Sequence, residues 1–127
     1  MTFAYWCVVL TAFLPVIWAG IAKSGLKNFD NSNPRECLDK ATGWAQRANW
    51  AQMNSYEAFP PFAAGVIVAH LAGAQQIHID VLAGIFLACR LIHGIVYITD
   101  RSSIRSLVWT TGFLCTVALF LSPTWPA

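Results

Sequence analysis

Two sets of ionisable and polar side chains stand where apolar residues dominate. Arg47, Asn54 and Glu57 open one largely apolar stretch, and Arg90, His93 and Tyr97 lie inside another. Ionisable groups at membrane depth are costly and usually face a bundle interior or a water-filled cavity. Arginines pair with carboxylates, and a carboxylate pairs with an ammonium group. The set therefore suits a small anionic, zwitterionic ligand, and its apolar surroundings suit a hydrophobic second substrate that enters from the bilayer.

Helical geometry brings each set onto one face. At 100° per residue, Asn54 lies about 20° from Arg47, Trp50 about 60° and Glu57 about 80°. Around Arg90, Tyr97 and Arg101 each lie about 20° away and His93 about 60°. The second set forms a seam at i, i+3, i+7 and i+11. Each residue alone has a structural explanation: Arg47 can snorkel to the surface, and Arg90 and Glu57 can form an ion pair that fixes helix register. The whole set together favours a ligand site. His70, by contrast, reads as a histidine satisfied by a neighbour on its own helix.

The elements that must position these residues are helices in a membrane. Of 127 residues, 57% are hydrophobic and only 11% charged, against roughly 25% charged in a soluble domain. The net charge of +2 does not suggest nucleic-acid binding. Four stretches long enough to span about 30 Å of hydrocarbon are read, over 2–22, 42–74, 77–99 and 104–121, with a polar loop over 23–41. The expected architecture is an all-α, multi-pass, four-helix membrane bundle forming one domain over 1–127. The first stretch lacks a basic n-region and is followed at once by Lys23 and Lys27, which argues against a cleaved signal peptide.

Basic residues set the orientation. Lys23, Lys27, Arg35 and Lys40 lie in the first connection, and Arg101 and Arg105 in the third. The positive-inside rule puts these loops in the cytoplasm and both termini outside. Trp6 and Trp125 are then expected at the outer interface, and Trp18, Trp44 and Trp109 near the inner one. Cys7, Cys37, Cys89 and Cys115 have no metal-binding spacing, and four free thiols are expected. Pro60-Pro61 frees the carbonyls of Tyr56 and Glu57 and predicts a kink. Gly65, Ala69 and Gly73 repeat at four-residue spacing, a pattern that permits close approach within the chain or between copies.

The run RANWAQMNSYEAFPPF, from Arg47 to Phe62, resembles the signature of the MAPEG family, the membrane-associated proteins in eicosanoid and glutathione metabolism. The run RLIHGIVY, from Arg90 to Tyr97, with Ile104-Arg105-Ser106 after it, resembles the family's second signature. The resemblance covers nearly the whole chain. It implies a homotrimer with glutathione, as co-substrate, in a cytoplasm-facing cleft between subunits. By matching positions it nominates Asn54, Glu57, Arg90, His93 and Tyr97 for glutathione binding, to which charge logic adds Arg47. It nominates Arg105 and Ser106 for the thiolate, and Lys23 or Lys27 for a charge from the neighbouring subunit. Gln52 stands where the first signature often has His. Trp50 and Met53 stand where mammalian members carry basic residues. The pattern is closer to the family's bacterial branch, which implies a bacterial inner membrane.

The expected activity is that of a glutathione-dependent transferase or peroxidase acting on hydrophobic electrophiles. A different class of function, a structural or lipid-binding subunit of a larger membrane complex, keeps the fold without the chemistry. A small transporter or channel is a third, disfavoured because the chain has no pair of broken helices in matching halves.

Overall fold

The computed structural model describes residues 1–126. They form five α-helices and a short 3₁₀ turn: α1 (Phe3–Ser24), α2 (Pro34–Asp39), α3 (Gly43–Leu71), α4 (Gln76–Ile98), α5 (Ser102–Leu121) and Ser122–Thr124. No strand occurs among the described residues. Three helices are long and apolar enough to cross a membrane: α1, α4, and α5 taken with its 3₁₀ extension. The fourth long helix, α3, has 29 residues, and the Arg47 to Glu57 half gives it its polar character. It continues as α-helix through Pro60-Pro61, as α1 does through Pro15.

Local chemistry fixes the helix ends. Thr2 caps α1, its Oγ1 accepting from the Tyr5 amide at 3.2 Å. The next free amide of that turn, Ala4 N–H, donates to Asp80 Oδ1 on α4 at 2.9 Å, so a side chain from another helix completes the cap. Both α3 and α4 end in a Schellman closure. At α3, Ala74 N–H reaches Ala69 O at 2.9 Å and Gly73 N–H reaches His70 O at 3.2 Å. Gly73 takes φ +79° there, a left-handed conformation that glycine adopts without penalty. At α4 the same two bonds run from Arg101 to Val96 and from Asp100 to Tyr97, with Asp100 at φ +61°. This tight closure turns the chain back at once into α5.

The core draws on all four long helices. Cys7, Phe62, Val66, Ile79, Phe86 and Leu119 are almost fully buried together, and the rings of Phe62 and Phe86 stack 3.8 Å apart. A second cluster joins Leu14 and Trp18 of α1 to Ala51 of α3. Trp18 is thus a core residue, 4% exposed, and not the interfacial anchor expected from its position in the sequence. Its indole fits because Gly94 offers no side chain. The small-residue pattern on α3 also resolves: a Cβ on Gly65 would stand 3.2 Å from Leu119 Cβ. Gly65 therefore serves contact with α5 inside the chain.

All four cysteines are free thiols. His70 is held as expected, with Nδ1 donating to the Val66 carbonyl at 2.8 Å, since a carbonyl can only accept. The other nitrogen, Nε2, then accepts from Thr2 Oγ1 at 3.2 Å. In the polar loop, Asp30 accepts from the Ser32 hydroxyl at 2.6 Å and the Ser32 amide at 2.9 Å. Those two donors hold its carboxyl below the usual carboxylate range.

Candidate functional site

Asn54 is the point on which the polar residues converge. It sits on the α3 face that looks toward α4 and α5, and it lines three adjoining clefts. Arg90 of α4 reaches it directly, with Nη2 donating to Asn54 Oδ1 at 2.7 Å. This bond joins residues 36 apart in sequence and replaces the Arg90–Glu57 ion pair that their types suggested. Among the described residues the one ion pair is Lys40–Glu36, exposed and within the loop region.

Arg90 is 3% exposed, and among the described residues its Nε has no hydrogen-bond partner. A buried guanidinium held by a single neutral amide, with no carboxylate bonded to it, is an incompletely compensated charge. His93, one turn on, is 2% exposed and its Nδ1 is likewise unbonded. Both residues line clefts.

The first cleft, of about 280 Å³, has Asn54, Glu57 and Arg90 at its polar end. Its remaining wall is mainly apolar, with Ala58, Pro61, Phe86, Trp109 and Phe113. Trp109 and Phe113 stack 5.4 Å apart and nearly parallel along α5. The second cleft, of about 390 Å³, brings together Asn54, His93, Tyr97, Arg105 and Ser106. Residues from three helices thus meet in one depression with an apolar and a polar arm.

The α4–α5 corner explains the second arm. Because only Thr99, Asp100 and Arg101 separate the two helices, the first turn of α5 lies beside the last turn of α4. Arg105 consequently stacks over the Tyr97 ring at 4.4 Å, a cation–π contact that fixes its guanidinium plane. Tyr97 is itself held edge-on by His93 at 5.5 Å. Ser106 is exposed at the cleft mouth.

Arg47 behaves differently from the rest of its stripe. Its Nε donates to the Ile98 carbonyl at 2.9 Å, one of the carbonyls that the end of α4 leaves without an intrahelical partner. It lines none of the three clefts and instead ties α3 to the end of α4. Arg101 is exposed and outside them as well. Lys23 rests over the Phe29 ring at 5.2 Å. Trp109 and Phe113 were not singled out as cleft residues, because an aromatic pair at i, i+4 reads equally as a lipid-facing stripe.

A family profile for the MAPEG family matches residues 3–125. No curated protein matches the chain.

Proposed function

Because the chain belongs to the MAPEG family, we propose that the Asn54 depression binds glutathione and that the protein is a membrane-embedded glutathione-dependent transferase or peroxidase acting on hydrophobic electrophiles. The observation that carries this reading is Arg90: a buried cation, bonded among the described residues only to a neutral amide, on the wall of a cleft. An anionic ligand supplies what the fold leaves out. Glu57, exposed on the same cleft, suits the ligand's ammonium group.

Glutathione supplies a thiol, and its thiolate is the reactive nucleophile. Arg105 and Ser106 are the groups placed to favour that thiolate, through a guanidinium charge and a hydroxyl donor. Tyr97 holds the Arg105 guanidinium in place, and His93 holds Tyr97. The arm lined by Phe86, Trp109 and Phe113 suits the hydrophobic electrophile. Arg47 acts through α4, by fixing the helix end that carries Tyr97.

The proposal extends to the assembly: four spans with both termini outside, three copies around an axis, and clefts open to the cytoplasm of a bacterial inner membrane. Titration of glutathione into detergent-purified protein tests the site, with thiolate ultraviolet absorbance and turnover of a generic aromatic electrophile as readouts. Saturable binding with thiolate formation supports the enzyme. Absence of both at saturating glutathione favours the second reading, a structural or lipid-binding subunit of a larger complex. That reading draws on Trp50 and Met53, which are exposed and apolar beside Asn54 and Glu57 in the third cleft.

A further inference from the structure

The third cleft, of about 350 Å³, is lined by Trp50, Met53, Asn54 and Glu57 of α3 and by Tyr97 of α4. Positions 50, 53, 54 and 57 run i, i+3, i+4 and i+7, so they share one helix face. The Arg47 bond to the Ile98 carbonyl holds the end of α4 against that part of α3. There the Trp50 and Tyr97 rings meet, with centroids 6.3 Å apart and planes tilted by 54°. At that separation one cation can lie within about 6 Å of both centroids, the reach of a cation–π contact. Trp50, Met53 and Glu57 are exposed and Tyr97 is half-buried, so a ligand in the cleft can touch them. Among the described residues no cation stands over Trp50, and Glu57 forms no ion pair. Arg105 covers Tyr97 from the cleft that holds His93 and Ser106, and it does not line this one. Two aromatic rings, a polarizable thioether and an unpaired carboxylate thus line a space to which the described residues bring no cation.

We infer that this cleft is an ammonium cage, which selects ligands that end in an alkylammonium group, quaternary ones included. The Trp50 and Tyr97 rings attract the cation through their quadrupoles, and Trp is the strongest ring for this contact. Glu57 supplies the opposite charge and offsets the repulsion from Arg105 on the far side of Tyr97. Met53 closes the apolar wall around the carbons next to the nitrogen. Glutathione carries such a group on its glutamyl residue, and an amine or choline lipid headgroup carries one too. Naming glutathione as the source rests on the reading above; the cage itself does not.

The test is titration of choline into the full chain purified in a maltoside detergent, read by saturation transfer to the choline N-methyl protons. The control is 3,3-dimethylbutanol, which has the shape of choline without its charge. Choline should bind saturably and the control at least about three-fold more weakly. Trp50→Leu should weaken choline about three- to thirty-fold, the range for one cation–π contact, while Trp50→Phe, which keeps a ring, should retain most of the binding. Trp50 is an exposed residue, so both variants leave the core untouched. Absence of choline binding, equal binding of the control, or unchanged binding in Trp50→Leu would each overturn the cage. Glutathione should displace choline, and glutathione acetylated on its amine should do so about ten-fold more weakly or worse. Equal displacement by the two would also overturn it. If choline binds and is displaced by phosphatidylcholine in nanodiscs but not by glutathione, the cage stands with a lipid headgroup as its ligand, and the glutathione reading fails on its own.

Discussion

The Trp18 indole lies against Gly94 so closely that a Cβ there would collide with Cζ2. This contact joins α1 to α4 beside His93. Gly94→Ala must displace a large side chain from the buried cluster with Leu14 and Ala51. The expected cost is about 3 kcal/mol, the upper end for overpacking. Thermal unfolding in detergent should show a clear fall in Tm. An unchanged Tm would mean that the indole can swing aside freely.

Gly65 makes a related prediction with a different partner. Its Cα faces Leu119 and Phe120 of the same chain, so Gly65→Leu should destabilise the isolated subunit by about 1–3 kcal/mol. The unfolding midpoint should fall by the same amount at low and high protein concentration. A fall that disappears at high concentration would assign Gly65 to a contact between copies instead.

Arg47 is expected to act at a distance. Removing its bond to the Ile98 carbonyl, in Arg47→Ala, should cost about 1.5–3 kcal/mol, as for hydrogen bonds from charged groups. Tyr97 then loses its fixed position, and thiolate formation should weaken along with stability. If Arg47→Ala abolishes glutathione binding without lowering Tm, Arg47 touches the ligand directly.

Arg105 and Glu57 should separate chemistry from binding. Arg105→Ala should reduce the thiolate population about ten- to a hundred-fold, the worth of one charge-assisted contact, while glutathione still binds. Glu57→Gln should weaken binding itself, because it removes the partner of the ammonium group. Thiolate absorbance and a binding isotherm measured on the same samples distinguish the two. The opposite pattern would exchange their roles.

Orientation can be read from a single thiol. Cys7, Cys89 and Cys115 are buried, whereas Cys37 in the polar loop is partly exposed. A membrane-impermeant maleimide should label Cys37 only from the cytoplasmic side. Labelling in intact cells would invert the topology and turn the polar loop outward.

Much of this protein was determined by local sequence. Apolar runs of helical length, the Thr2 cap and the Gly73 stop follow from short-range chemistry, and they set where helices begin and end. The angular position of Asn54 relative to Glu57, or of Arg90 relative to His93 and Tyr97, follows from helical periodicity alone. The two polar faces of the candidate site were therefore legible before any packing was known.

What stands opposite each face was not. Periodicity gives a direction around one helix axis, but the neighbour in that direction depends on how the helices rotate and slide as the core closes. Only the tertiary structure decided that Arg90 meets Asn54 and leaves Glu57 free, that Arg47 turns to the end of α4, and that Gly65 packs on α5. Trp18 shows the reason most simply. Its apolar ring has no preference in sequence between lipid and core, and the absent side chain of Gly94, 76 residues away, settles it.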